Sequence, residues 1–327
     1  MNSNIRIGII GGAGYTGGEL IRILLNHPNA QLIFVHSKSN AENKLYQVHQ
    51  DLLGETEMKF SDKISEDIDL LFLCLGHGES SDFLKENKIN DRIKIIDLAN
   101  DFRIKEHNKS GNRAFVYGLP ELNREEIRTA NAIANPGCFA TAIELGLLPL
   151  ASKGFINDVY TTGITGSTGA GQSLSQTSHF SWRVNNIQAY KTLTHQHLAE
   201  IHQTLNQLQP DHGTNVNFVP WRGDFSRGIF VSSTIKCNLE INELNDLYSA
   251  YYNDHPFTIF SKNPIFLKQA VGTNKCFVNI EKTNDTIVIH SVIDNLLKGA
   301  SGQAVQNMNL MFGLEESVGL HLKAIAF

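Results

Sequence analysis

Between Ile5 and Ile10 the chain is almost wholly apolar and rich in β-branched side chains, the pattern of a short strand buried on both faces. Glycines end that run. From Thr16 to Asn26 the apolar positions Leu20, Ile21, Leu24 and Leu25 recur at helical spacing, and His27-Pro28-Asn29 supplies the stop. Gln31 to Val35, Leu70 to Leu75 and Ile93 to Ile96 are further short apolar runs, separated by helical or loop stretches. Such alternation predicts a parallel sheet of the doubly wound, Rossmann type. The rhythm changes at Cys138. A helix is predicted over Phe139 to Leu150. The strand candidates after it are Val159 to Ile164, Val216 to Pro220, Gly228 to Lys236, Lys275 to Glu281 and Thr286 to Ile293. Several of these alternate polar and apolar residues, as an antiparallel sheet with one covered face does. Helices are also predicted over Glu243 to Tyr252 and Ala300 to Met311. The fold class is therefore α/β with a second, α+β domain, and the cleft between two packed domains is the expected site.

Composition narrows the choice of partners. A chain of 327 residues with 41% hydrophobic content is longer than one core usually supports, which agrees with two domains. The formal net charge is -5, and no tract of lysine and arginine is present that could follow a phosphate backbone or an anionic bilayer. Neither nucleic acid nor membrane is expected as a partner. Cys74, Cys138, Cys237 and Cys276 lie far apart without CxxC or metal-ligand spacing, so neither disulfides nor a metal site is indicated. The apolar run behind the polar start is too short for a signal segment, and a reducing cytoplasm is the expected location.

Two motifs carry chemistry. In GGAGYTG the glycines Gly11, Gly14 and Gly17, with Tyr15 and Thr16 among them, stand between a predicted strand and a predicted helix. A Cβ-free turn that opens a helix presents N–H groups and a positive dipole end to a pyrophosphate; the alternative is a turn that binds nothing. No acidic residue follows the second strand. Instead Ser37, Lys38 and Ser39 stand where a 2'-phosphate would be received, which points to NADP(H) rather than NAD. In NPGCFATAIELGLLPL, Cys138 opens an apolar-periodic helix, where dipole and free N–H groups favour a thiolate. Taken alone, that position suits a buried structural cysteine as well as a nucleophile. Cys74, Cys237 and Cys276 sit in apolar or strand-like runs and read as core residues. His77 follows the third strand at the edge where such sheets bind ligands.

The ordered set GGAGYTGGEL, DLANDFR, YGLPEL, NPGCFATA, GSTGAG, THQHLAEI and DNLLKGASGQAVQNMNLMFG resembles the N-acetyl-gamma-glutamyl-phosphate reductase family of arginine biosynthesis, over nearly the whole chain. Aspartate-semialdehyde dehydrogenases are related, but NPGC followed by FATA and the DNLLKGASGQAVQNMN ending fit the former better. The resemblance implies an NADP-binding Rossmann domain over 1–137 and 296–327, with a final helix returning to it. It places a catalytic and oligomerisation α+β domain over 138–295. It implies Cys138 as nucleophile and His197 as its acid/base partner, with Ala199 in place of the usual proline and His195 as rival. Arg103 and Arg227 match positions where the family keeps arginine for substrate anions. Arg222 lies in a WRGD segment, with Trp221 and Asp224, that departs from the family form. Gly169, flanked by Gly166 and Gly171, can bring backbone close to the cofactor's nicotinamide end or to the thioester, or form only a turn. Asn295, followed by Lys298 and Gly299, resembles the family's cofactor-contacting segment, with a helix cap as its bland reading. The implied activity is reduction of an acyl phosphate, N-acetyl-γ-glutamyl phosphate, to its semialdehyde through a thioester. N-succinyl-glutamyl and N-acetyl-aminoadipyl phosphates are alternative substrates, and a homodimer or homotetramer is expected. A cysteine hydrolase and a non-catalytic dinucleotide sensor are the readings from other classes.

Overall fold

The computed structural model describes residues 4–210, 213 and 215–326. They group into two compact units. The first comprises the chain up to Pro136 with Ala300–His321. Its sheet has seven parallel strands in the order Phe60–Ser61, Ala30–His36, Ile5–Ile10, Leu70–Leu73, Lys94–Asp97, Ala132–Ala134, Val116–Tyr117. Ile7, Ile9, Leu71, Phe72 and Ile95 have no exposed surface, which is why these strands read as continuous apolar runs. The helix Tyr15–Leu25 begins one residue earlier than its periodicity suggests, capped by Gly14.

The last helix of this unit, Gly302–Met311, packs on Tyr15–Leu25 and on Pro120–Thr129. All ten of its residues are buried, so it has no solvent-exposed face. Its amides are used as ties. Asn307 donates to the Gly118 carbonyl at 2.8 Å and to Asn135 Oδ1 at 3.1 Å. Asn309 donates to the carbonyls of Glu316 and Val318, and its Oδ1 lies 3.0 Å from Nε2 of His27. The expected helical start at Ala300 falls instead in a π-helical turn, Leu297–Ser301.

The second unit comprises Gly137–Gly299 and the chain from Leu322 onward. Its seven-stranded sheet runs Gln188–Ala189, Val216–Arg222, Val159–Thr165, Ile229–Lys236, Thr286–Ile293, Cys276–Thr283, Thr258–Phe260. Four of the six pairings are antiparallel. Val159–Thr165 with Val216–Arg222, and Thr258–Phe260 with Cys276–Thr283, are parallel. The first of these follows from the helix Leu198–Leu208, which carries the chain back between the two strands. Alternation is plain in Val159–Thr165 and Ile229–Lys236, where every second residue is buried against the helices.

The helix Cys138–Ala151 lies on that covered face and is buried along almost its whole length. Pro149 sits inside it, and without a proline N–H the carbonyl of Leu145 loses its helical donor. The hydroxyl of Tyr252, from the helix Ile241–Tyr252, donates to that carbonyl, and Tyr248 donates to the carbonyl of Gly146 at 2.7 Å. Ser291 donates to the carbonyl of Ala142 at 2.6 Å. Among the described residues no helix is long and apolar enough to cross a membrane.

Candidate active site

Cys138 is the first residue of its helix, after the extended N-cap Gly137. Its side chain is partly accessible, whereas Cys237 and Cys276 are buried. Burial pushes the thiol of Cys74 up to about 12, which leaves it protonated at neutral pH. Of the four, Cys138 combines access with a helix start that stabilises negative charge on sulfur.

His197 caps the helix Leu198–Leu208, which packs beside the Cys138 helix. Its ring lies directly on the Cα of Gly137: a Cβ there would come within 2.4 Å of Nε2. One turn on, Glu200 is buried and accepts the Gly137 N–H through Oε2 at 2.8 Å, while Oε1 stands 4.0 Å from His197 Nε2. One carboxylate thus faces both the peptide that precedes the sulfur and the imidazole.

His195 stands behind His197, with ring centroids 4.6 Å apart, and is walled in by Phe139, Phe218 and Tyr190. Its Nδ1 accepts the His197 N–H at 3.2 Å, so that nitrogen carries no proton. Burial, followed by the charge of Lys191, lowers its pKa to about 4. His195 is a neutral wall, and His197 is the ring placed beside the nucleophile's peptide. Burial, and then charge on Cys138, drives the Tyr190 phenol well above its ordinary value, which puts Tyr190 within electrostatic reach of that sulfur.

The arginines are placed differently from one another. Arg227 meets the fully buried Asp294 through Nε and Nη2, both at 3.1 Å, and Asp294 also accepts the N–H groups of Gly272, Leu296 and Leu297. Arg222 stacks over the Tyr190 ring, 4.5 Å from its centroid, and donates to Thr177. Its WRGD neighbours close a loop. Arg183 donates to the Gly223 carbonyl at 2.7 Å, and Asp224 accepts the Asn185 N–H at 2.6 Å. Arg103 belongs to the first unit, where it is buried and donates to the Leu98 carbonyl at 2.8 Å beside Asp97.

Gly166 admits the backbone of Ser226, 2.5 Å from where a Cβ would stand, and Thr168 donates to that residue's carbonyl. Gly169 is exposed on the same turn. Asn295 accepts the Gly228 N–H at 2.7 Å and donates to Thr168 at 3.0 Å, so it ties two loops together. Gly299, in the π-helical turn with the buried Lys298, lies against the nucleophile: a Cβ there would stand 2.8 Å from that of Cys138.

In the first unit the glycine turn is packed so closely that three of its positions exclude a side chain. Side chains at Gly11, Gly12 or Gly17 would strike the Cys74 carbonyl at 2.4 Å, Val35 at 2.1 Å and Gly12 at 2.7 Å respectively. At Gly14, by contrast, a Cβ meets nothing nearer than 3.8 Å, so the surface above it is open to a ligand. Tyr15 is exposed there, and Thr16 accepts from Ser301 through its carbonyl. Past the second strand, Ser37 and Ser39 lie 3.5 Å apart through their hydroxyls, Asn40 donates to both, and Lys38 is exposed. His77 is exposed after the strand Leu70–Leu73. Glu200 and Tyr190 were not singled out from sequence; an acidic residue three positions past His197 on a helix was the available signal for the first.

The family profile described as "Semialdehyde dehydrogenase, NAD binding domain" matches residues 6–130, and "Semialdehyde dehydrogenase, dimerisation domain" matches residues 138–295. The chain is 57% identical to the N-acetyl-gamma-glutamyl-phosphate reductase of Christiangramia forsetii, over 98% of this chain and 99% of that protein. It is also 57% identical to the one of Parabacteroides distasonis, over 99% and 100%. Among solved structures, aspartate semialdehyde dehydrogenase II from Vibrio cholerae is similar with a TM-score of 0.72 at 17% identity, covering 95% of this chain and 99% of that one.

Proposed function

Since the chain belongs to the N-acetyl-gamma-glutamyl-phosphate reductase family, we propose that it reduces N-acetyl-γ-glutamyl phosphate to N-acetyl-glutamate semialdehyde with NADPH, in the cytoplasm and as a homodimer or homotetramer. One observation carries the reading at the level of chemistry: the partly accessible sulfur of Cys138 at a helix start, with the His197 ring seated on the preceding peptide.

In this reading the Cys138 thiolate attacks the acyl carbon, a C–S bond forms, the C–O bond to phosphorus breaks and inorganic phosphate leaves. The Gly11–Gly17 turn, with Ser37, Lys38 and Ser39, would hold NADPH, which would supply the hydride that reduces the thioester. His197 gives a proton to the oxygen that becomes negative, takes it back as the C–S bond breaks, and the aldehyde departs from the restored thiolate. Glu200 holds the Gly137 peptide and faces His197 throughout, which keeps the ring and the sulfur in register. Arg227, oriented by Asp294, and Arg103 are the candidates for the substrate's anionic groups, and Arg222 with Tyr190 for the acyl end. Gly169 and Asn295 lie on the loops proposed to meet the cofactor.

The assay is phosphate-dependent NADP+ reduction by N-acetyl-glutamate semialdehyde, run beside the N-succinyl compound. Cys138→Ser is expected to abolish turnover while NADPH still binds. A fully active Cys138→Ser enzyme, or turnover without nucleotide, rejects the thioester reading in favour of other chemistry.

A further inference from the structure

We propose that His49, which no motif singled out, is a positioning residue for the dinucleotide: it clamps the Gly12–Ala13 peptide of the glycine turn in the orientation that receives phosphate. The proposal rests on the NADP(H) reading given above. His49 ends the short helix Leu45–Val48 and is 5% exposed. Its Nε2 lies 2.8 Å from the carbonyl oxygen of Gly12. A carbonyl oxygen only accepts, so Nε2 carries the proton. The Gly12 N–H is spent on the carbonyl of His36 at 3.1 Å, and Gly12 is therefore held from both of its peptides.

The need for a clamp follows from the turn's composition. Gly12 lacks the Cβ that would limit its ψ, so of the two residues that flank the Gly12–Ala13 peptide only Ala13 resists a flip by its own side chain. In a trans peptide the C=O and the next N–H point in opposite directions. Holding the Gly12 oxygen toward His49 aims the Ala13 N–H away from it. A flip would turn a carbonyl dipole where a donor had been, and a phosphate is repelled by the first and bound by the second.

The ring's seat is specific. Gly18, in the first turn of the helix Tyr15–Leu25, would carry a Cβ only 2.7 Å from Cε1 and 2.8 Å from Nδ1 of His49, so the absence of a side chain at 18 makes room for the imidazole. Phe60 flanks the ring with centroids 6.2 Å apart. Glu19, Arg22 and Asp51 are the charged groups about it, with Arg22 paired to both carboxylates. A donor is thus held by shape on one side and polar contacts on the other.

The test is direct NADPH binding, by nucleotide fluorescence or calorimetry, on the full chain. His49→Phe keeps a ring against Gly18 and loses the donor; its Kd for NADPH is expected to rise about tenfold, the effect of one hydrogen bond. KM for NADPH should rise with it, while kcat changes far less and iodoacetamide labelling of Cys138 keeps its wild-type rate. His49→Gln, which can still donate, should recover part of the affinity. Gly18→Ala should weaken NADPH binding by displacing the ring, and should cost less in a His49→Ala background. If His49→Phe and Gly18→Ala both bind NADPH with wild-type Kd, the clamp is refuted. If His49→Phe does not fold, an additive Gly18→Ala, His49→Ala cycle refutes it equally. A wild-type chain that binds NADPH through His49 but turns over no acyl phosphate would leave the clamp standing and reject the proposed activity.

Discussion

At the scale of single residues, the tightest constraint around the nucleophile is the contact between Gly137 and His197. A Cβ at 137 would stand 2.4 Å from Nε2, closer than any real contact of that kind, so either the ring or the Cys138 peptide has to move. Gly137→Ala is therefore expected to lower kcat by about 100-fold, the usual consequence of displacing a reacting group by roughly an ångström. Steady-state assays beside circular dichroism check it; a folded Gly137→Ala enzyme with wild-type kcat would place the working imidazole elsewhere. Glu200→Gln keeps the shape of the acceptor for the Gly137 N–H and removes the charge facing His197. Its expected signature is a displaced pH–rate profile with little change in melting temperature. An unmoved profile would reduce Glu200 to a capping role.

At the scale of elements, the Cys138 helix shows how a local irregularity is repaired by tertiary structure. Pro149 removes the donor to the Leu145 carbonyl, and Tyr252 replaces it from another helix. Tyr252→Phe should cost about 1–3 kcal/mol, because a buried acceptor is left unmade. In a Pro149→Ala background the helix regains its own N–H, and the same change should cost measurably less; equal costs in the two backgrounds would show that the pair is not coupled. Pro149 was visible in the sequence, but its partner lies more than a hundred positions along the chain, and no local pattern connects them. The same distinction runs through the rest of the molecule. The strands of the first unit and the start of the Cys138 helix were legible because continuous apolar runs and helical spacing are local signals. The strands Phe60–Ser61, Val116–Tyr117 and Ala132–Ala134 of that unit were not, since they have only two or three residues. Asn295 was singled out through family resemblance, whereas its hydrogen bonds to Gly228 and Thr168 join loops far apart in sequence. Gly299 was grouped with the cofactor segment, and no local pattern showed that a side chain there would meet Cys138.

At the scale of the whole molecule, proton linkage and association are the properties to which many residues contribute. Burial holds His195 at about 4 and lowers His27, His36, His49, His202 and His290 below the ordinary imidazole value. As pH falls below about 6.5 the unfolded chain protonates these rings before the folded one does, so the unfolded state binds more protons and stability declines. Asp97 opposes them. Burial lifts its carboxyl to about 6, so between that value and 3.8 the folded chain holds the extra proton and gains stability on acidification. Six rings outweigh one carboxyl, and the melting temperature is expected to fall from about pH 7 to about pH 5; a rise over that interval would mean that the rings are not held neutral. Association is the last consequence. The helices of the second unit cover one face of its sheet, and on the other face Tyr160 is 60% exposed, with Thr162 also exposed and Thr234 partly so. The dimerisation-domain match spans this sheet, so the oligomer proposed above would seat a second copy on this face. A glutamate at 160 would bury an uncompensated charge in such a contact and leave an isolated subunit undisturbed. Tyr160→Glu is therefore expected to give a folded monomer by light scattering, whereas an unchanged mass would move the contact off this face and toward the segment that exposes Leu174 and Phe180.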